Sequence, residues 1–364
     1  MSRFLNEKYA ALEVYTPGEQ PKNMQYIKLN TNESPYPPSP QVIAAVSSDE
    51  VSRLRLYPDP ECTVLKEKLA ALYGVQRENI YLSNGSDDIL NFAFMAFAGD
   101  KGAAGTGKKA WFPEISYGFY EVYANLYQID AVKIPLKEDF SIDPADYCSL
   151  PQEGGLVCIA NPNAPTGLAL SLDQIRRIIE ANPDKVVLID EAYVDFGAAS
   201  AVTLTRDYDN LLVVQTFSKS RSMAGARLGF AIADPGLISD LDRIKYSTNP
   251  YNINRLTQIA AEAAVDSNDY YADNCVNIME TRAWTAELLE SLGFTVIPSL
   301  TNFLFAKSDR ISGGSLYEEL KARGVLVRHF EKPAIADYNR ITIGSRSEME
   351  TFINTVKEIL EVQP

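Results

Sequence analysis

The sequence predicts an α/β fold: a large domain with a mostly parallel sheet between helix layers, joined to a smaller α+β domain. Three observations lead there. Apolar strand-like runs alternate with amphipathic helical segments over roughly 180 residues, the rhythm of repeated strand–helix units. Several runs, "GLVCIA", "KVVLID" and "NLLVVQTF", are apolar throughout rather than alternating, as in strands covered on both faces. After Asn249-Pro250 the texture changes to long helical patterns followed by short strand–helix units. A chain of 364 residues, 46% of them hydrophobic, has the length for one large domain with a companion and the apolar content for a core in each.

Taken in order, residues 1–40 read as an arm and an irregular segment that joins the small domain. "YTPGEQPKN" and "NESPYPPSP" are rich in proline, which removes amide donors and restricts its predecessor. Residues 41–255 form the large domain. "NIYLS" is a strand and "DDILNFAFMAFA" the helix after it. "AWF" leads to the helix "YGFYEVYANLY" and the strand "DAVKIPL". "GLVCIA" is a strand, Ser171 caps the helix "LDQIRRIIEA", and "KVVLID", "NLLVVQTF" and "LGFAIA" follow as strands. Residues 256–364 form the small domain. It has two long helices, "RLTQIAAEAAV" and "YYADNCVNIMETRAWTAELLESLGF". Then come "NFLFAKS" with "GGSLYEELKARG", and "VLVRHF" and "NRITIG" before a last helix from Ser347.

Charge and composition remove several function classes. A net charge of −14 argues against a nucleic-acid surface, which needs clustered positive charge. It leaves room for a small anionic ligand held by a local arginine pocket. Cys62, Cys148, Cys158 and Cys275 are far apart without a C-x-x-C, and His329 is the one histidine, so no metal site is expected. Scattered cysteines read as reduced thiols of a cytoplasmic protein. The N-terminus "MSRFLNEKYAALEVY" has no apolar core, so no signal peptide is expected. The apolar stretch "ILNFAFMAFAG" is too short to span a bilayer.

In open α/β sheets, ligands bind beyond the carboxyl ends of the strands. There the sequence places Ser83-Asn84-Gly85-Ser86-Asp87, then Pro113 with Tyr117, "NPNAPTG", Asp190-Glu191-Ala192-Tyr193, and Thr216-Phe217-Ser218-Lys219. Each has a use around one cofactor, pyridoxal 5'-phosphate. A lysine amine condenses with its aldehyde to form a Schiff base. A carboxylate facing the pyridine nitrogen, a role suited to Asp190, keeps the ring an electron sink. Tyr193 and the asparagines are candidates for the ring's 3-oxygen, and Tyr117 for stacking on its face. The amides of Gly85, Ser86 and Asp87 at a helix start, with Ser218 and Arg227, make a phosphate cradle. There is no Gly-x-x-x-x-Gly-Lys before Lys219, so this is not a nucleotide P-loop.

The segments "IDEAYVDF", "TFSKSRSMAGARLGF" and "NPNAPTG" resemble those of the fold-type-I aminotransferases. "KLNTNESPYPPSP", "RLYPDP" and "VLVRHF…NRITIGSR" narrow the resemblance to the histidinol-phosphate aminotransferases, from about Tyr15 to the last helix. The resemblance implies that Lys219 is the Schiff-base lysine and general acid/base, Asp190 the partner of the pyridine nitrogen and Tyr193 that of the 3-oxygen. Ser86, Asp87, Ser218 and Arg227 would hold the phosphate. Tyr57 would reach the cofactor phosphate of a partner subunit in a homodimer with composite sites. Arg328 and Arg340 would bind the substrate's acidic groups, and Tyr15 would line its imidazole end.

The reaction implied is transamination in histidine biosynthesis, between glutamate and 2-oxoglutarate on one side and imidazole acetol phosphate and histidinol phosphate on the other. An aromatic aminotransferase or a decarboxylase of phosphorylated amino acids on the same scaffold are the alternatives, since fold does not choose between them. One departure stands out. Where the family has a second asparagine before "PTG", this chain has Ala164, and Asn161, ahead of Asn163, is the expected replacement. Arg346, His329 and Tyr36 read as structural.

Overall fold

Alternating side chains on each strand of the large sheet feed two different cores. In the computed structural model, which describes residues 4–6, 9, 12, 18–21, 24–99 and 107–362, the chain runs β1 (Ile27–Lys28), α1 (Pro40–Ala45), α2 (Ser48–Ser52), α3 (Thr63–Tyr73), β2 (Ile80–Ser83), α4 (Ser86–Phe97), β3 (Lys109–Pro113), α5 (Phe119–Leu126), β4 (Ala131–Ile134), α6 (Pro144–Cys148), β5 (Gly155–Ala160), α7 (Leu172–Ala181), β6 (Lys185–Asp190), β7 (Leu211–Thr216) and β8 (Gly229–Ala233). It continues through α8 (Pro235–Thr248), α9 (Arg255–Asp266), α10 (Asn268–Ser291), β9 (Phe294–Ile297), β10 (Phe303–Ser308), α11 (Gly313–Ala322), β11 (Val325–Leu326), β12 (Arg328–His329), β13 (Asn339–Thr342) and α12 (Arg346–Val362).

Seven strands form the large sheet in the order β2-β8-β7-β6-β5-β3-β4. All neighbours are parallel except that β8 runs against both β2 and β7. On β5, Val157 and Ile159 face one core with Ile175, Ile178 and Ile179 of α7. Leu156 and Cys158 face the other with Ile89, Leu90 and Phe94 of α4. A strand has period two, so burial on both faces requires the unbroken apolar run seen in the sequence. Each fully buried aliphatic side chain contributes roughly 1.5–3 kcal/mol.

A third core underlies the second sheet, of order β12-β13-β10-β9. Leu29 packs in it, and β1 pairs in parallel with β11, so residues 27–29 lie against the small domain. The long helix α10 passes between cores. Tyr271 belongs with α9's Ala260, Ala261 and Ala264 in a large-sheet core, whereas Cys275, Ile278 and Leu289 belong to the third. The change of core thus falls within α10, later than the break near residue 255 that the texture of the sequence suggests. Asn249-Pro250 only ends α8 and starts a turn.

Helix α8 and strand β9 are among the elements that the sequence expectations do not include. Helix α8 has Pro235 in its first turn and is capped by Asp234, whose carboxylate accepts from the Gly236 amide. Its apolar stripe is thin, with Ile238 and Leu241 buried, and the signal is correspondingly weak. Strand β9 is an edge strand that starts after Gly293, at φ +86°, and pairs only with β10. Among the described residues no helix is long and apolar enough to cross a membrane.

Candidate active site

The carboxyl ends of β6 and β7, the start of α4 and the segment 31–33 enclose a cavity of about 340 Å³ lined by Lys219, Asp190, Tyr193, Ser86, Asp87, Tyr117, Ser218 and Arg227. Eight of the residues singled out in the sequence therefore meet on one surface. Lys219 leaves β7 through a tight loop in which Phe217 bonds the Leu228 carbonyl and Met223 bonds the Phe217 carbonyl. Its Nζ donates to the Thr31 carbonyl at 3.1 Å. Burial, reinforced by the nearby Arg340 cation, lowers the amine to about 8, against opposing pulls from Glu33 and Asp87. More of this amine is neutral and nucleophilic near neutral pH than in an ordinary lysine.

Asp190 ends β6 and is buried. Tyr120 of α5 donates to its Oδ2 at 2.8 Å, and the Ala192 amide makes a longer bond of 3.3 Å to Oδ1. Desolvation outweighs the Tyr120 bond and raises the carboxyl to about 6. Among the described residues no lysine, arginine or histidine forms an ion pair with it. Tyr193 stands three residues further on, its ring 6.0 Å from Lys219 Nζ. Its hydroxyl accepts from Asn32 Nδ2 at 2.9 Å.

Gly85 precedes α4 at φ +89°, and a Cβ there would lie 2.8 Å from the Arg227 guanidinium. A Cβ on Gly229 would lie 2.3 Å from the Ser86 amide nitrogen. Only glycines let β2, β8 and Arg227 close around the first turn of α4, whose amides have no side-chain cap. Ser218 and Thr216 add hydroxyls, bonded to each other at 3.0 Å. The sequence reading assigns the Asp87 amide to the phosphate cradle; its carboxylate has other partners. It accepts from Tyr117 Oη at 2.7 Å and from Arg227 at 2.8 Å, so it orients the tyrosine and the arginine. That leaves the Asp87 backbone amide, in the first turn of α4, as the group suited to an anion, since a carboxylate would repel one.

A second cavity of about 380 Å³ shares Thr31, Tyr117, Tyr193 and Lys219 with the first and carries Arg328, Arg340 and Phe330. Arg328 and Arg340 are direct cross-strand partners in β12 and β13. Like charges so placed repel, a cost that an anion between them would turn into attraction. Arg340 is held by the Asn30 carbonyl at 2.9 Å and by the faces of Phe303 and Phe330.

Asn161 is a correction. Its carboxamide closes the loop after β5, accepting from the Leu170 amide at 2.7 Å and donating to the Leu170 carbonyl, and it does not line the cavity. Asn163 is likewise taken up by Ser116, Ile115 and Thr166. Ala164 is the residue of that loop on the cavity wall. Both carboxamides are thus spent within the protein, on the Leu170 and Ile115 backbone and on the Ser116 and Thr166 hydroxyls, which leaves a methyl where a ring contact was sought.

Tyr15 lies outside the described residues. Tyr57 lines neither cavity; it is 79% exposed and stacked on Tyr251 at 4.7 Å. Arg346 stacks on Trp284 and pairs with Glu350, and His329 stacks on Tyr317.

The sequence reading named Thr216 only as part of a strand end and did not single out Thr31, Asn32, Glu33 or Tyr120, although all sit at the site. "TNE" and "FYEVY" gave no local signal of their own. Thr31, Asn32 and Glu33 reach Lys219 and Tyr193 across more than 150 positions of chain.

These groups fit pyridoxal phosphate. A buried carboxylate lacking a cation suits a protonated pyridine nitrogen, and the glycine-cleared turn with Arg227 suits a phosphate. The partly neutral Lys219 suits an aldehyde. Fold and site together define a pyridoxal-phosphate enzyme of fold type I. The chain belongs to the aminotransferase class I and II family, whose model matches residues 24–356. It is 51% identical to the histidinol-phosphate aminotransferase of Brachyspira hyodysenteriae, over 99% of this chain and all of the relative. It is 50% identical to that of a Marinomonas species, over 99% of this chain and all of that one. In three dimensions it resembles the histidinol-phosphate aminotransferase of Sinorhizobium meliloti in complex with pyridoxal-5'-phosphate. That likeness has a TM-score of 0.82 at 22% identity, covering 93% and 92% of the two chains, and speaks to the fold.

Proposed function

We propose that this protein is a transaminase that moves an amino group between glutamate and 2-oxoglutarate on one side and histidinol phosphate and imidazole acetol phosphate on the other. The observation that carries the reading is the placement of the Arg328–Arg340 pair on a cavity that opens onto Lys219. Full-length relatives at 51% and 50% identity support it.

Bound pyridoxal phosphate supplies an aldehyde for amine exchange and a protonated ring that draws electron density from a substrate Cα. The chain's residues do the rest. Asp190 would hold the ring N–H of the bound cofactor and, facing that cation, would stay ionised. The first-turn amides of α4, with Ser86, Ser218, Thr216 and Arg227, would hold the phosphate, and Tyr193 would donate to the ring's oxygen. Lys219, whose amine burial keeps partly neutral, would be the base that accepts a proton from the substrate Cα. Arg340 and Arg328 bind the anionic ends of both substrates and fix which Cα bond faces the base.

In Arg340→Ala, kcat/KM for histidinol phosphate and for glutamate is expected to fall together, each by about 2–5 kcal/mol, if the ion pair is desolvated. The test of the proposed activity is a half-reaction panel. Purified holoprotein is mixed with histidinol phosphate, glutamate and phenylalanine, and the cofactor absorbance is followed. Faster conversion by phenylalanine than by histidinol phosphate would overturn the substrate assignment, and carbon dioxide release from a phosphorylated amino acid would overturn the reaction.

The same reading makes the enzyme a homodimer with shared sites. Val51, Leu54, Leu56 and Tyr57 are exposed apolar side chains on one stretch around α2 and the turn before α3, exposed Tyr251 stacks on Tyr57, and a two-fold interface would cover them. Pro58 restricts Tyr57 to extended backbone, which holds its ring out toward a twin. Mixing inactive Lys219→Ala with impaired Tyr57→Phe dimers, after dissociation and re-association, is expected to raise activity above either parent. Mixed dimers showing only the parental average would place Tyr57 in its own subunit's chemistry.

A further inference from the structure

Three consecutive residues of the N-terminal segment each touch a different part of the site. The Asn30 carbonyl accepts from Arg340 at 2.9 Å, the Thr31 carbonyl from Lys219 at 3.1 Å, and Asn32 Nδ2 donates to the Tyr193 hydroxyl at 2.9 Å. Asn32 is fully buried with a left-handed backbone, φ 56°, a conformation that asparagine tolerates better than most residues. Its amide orientation is fixed from the other side. The Asn32 backbone N–H donates to Thr342 Oγ1 at 3.0 Å, and the Thr342 hydroxyl donates back to Asn32 Oδ1 at 2.9 Å. Asn302 Nδ2 holds the Asn32 carbonyl at 3.0 Å. With Oδ1 turned to Thr342, Nδ2 must face Tyr193.

We infer that Asn32 is a positioning residue that acts through Tyr193. By occupying an acceptor lone pair of the phenol, it turns the Tyr193 proton toward the cavity and makes the tyrosine a donor to an anionic oxygen on the bound cofactor. The loop across the cavity heightens the need, because Ala164 offers a methyl there while Asn161 and Asn163 are spent on backbone and hydroxyl groups. The inference rests on the cofactor reading given above and goes beyond it by assigning what sets the direction of one hydrogen bond. A donor to the cofactor oxygen stabilises the deprotonated form of the bound chromophore, so losing the donor raises the pH at which it titrates.

The test is a pH titration of the cofactor absorbance in holoenzyme. Asn32→Gly removes the amide without straining a left-handed backbone and is expected to raise the midpoint by about one unit, the worth of one charge-assisted bond. Thr342→Val, which frees the amide to rotate, is expected to raise it less. In a Tyr193→Phe background neither change is expected to add a further shift. The charged groups lining the two cavities that Tyr193 shares, Lys219, Glu33, Asp87, Asp190 and Arg227 with Glu114, Glu121, Arg328, Lys332 and Arg340, are the same in every variant.

A packing role for Asn32 would lower stability but leave the midpoint in place, or move it equally with and without the Tyr193 hydroxyl. Either result overturns the proposal. Should Asn32→Gly fail to fold, Thr342→Val alone decides by the same criterion. A wild-type protein that takes up no cofactor chromophore would overturn the cofactor reading and this inference together.

Discussion

Lys219→Ala is expected to give a folded protein that binds pyridoxal phosphate without a covalent link and has lost at least ~10⁴-fold in kcat, the scale of removing a positioned acid/base. The amine it removes lies between Asp190, Tyr193 and Ser218 in the cavity. Folding should not suffer, because burial holds this amine at about 8 against 10.5 unfolded. A lysine whose folded value is depressed disfavours the folded state while it is charged. That cost is full below pH 8 and fades as pH rises toward 10.5. The alanine variant is therefore expected to unfold no earlier than wild type at pH 7. Borohydride reduction followed by peptide mapping checks the chemistry. Cofactor still attached to the peptide containing position 219, or retained turnover, would refute the assignment.

The second large effect belongs to Asp190. Asp190→Ala should cut kcat by ~10²–10³-fold, as other losses of preorganised charge do, with a smaller change in KM. Asp190→Glu should lose less, because a carboxylate survives even if displaced. A loss confined to KM would contradict the role.

The same residue makes a prediction about the cofactor-free protein. Its carboxyl is raised from 3.8 to about 6 in the fold. The folded state thus holds its proton to higher pH than the unfolded chain, and that stability is present below about pH 4 and lost as pH rises through 6. Asp190→Asn, which can still accept from Tyr120, removes this loss. It should stabilise the cofactor-free protein by on the order of 2–3 kcal/mol at pH 7–8 and by nothing comparable at pH 4. Thermal unfolding with and without cofactor separates the cases, since a bound cation at Asp190 abolishes the gain.

The legible part of the site lies at strand ends. "KVVLID" and "NLLVVQTF" are apolar because both faces are covered, and the polar residues that close them, Asp190 and Lys219, must then sit at the sheet's rim. Gly85 is legible for a similar reason: its position before a helix start, at φ +89° against Arg227, admits no side chain. Asn161 misled because an asparagine beside a proline-rich loop has two equally good uses, and local sequence does not say whether its amide meets a ligand or its own backbone. Asp87 stands in the first turn of α4, where its amide is expected to meet a phosphate, while its carboxylate is committed to Tyr117 and Arg227.

What the sequence by itself determined is the layered α/β architecture, the strand ends that carry chemistry, and the lysine and aspartate at the centre, because those follow from periodicity two, periodicity 3.6 and the exposure of strand termini. The tertiary structure alone decided which distant groups complete them. Thr31 and Asn32 meet Lys219 and Tyr193, Tyr120 meets Asp190, and Arg328 meets Arg340. It also decided that α10 carries the chain from one core to the next. These pairings cross tens to hundreds of positions. Their free energy comes from desolvation and geometry that exist only once the sheets have packed, and no local pattern in the chain encodes a partner it has not yet met.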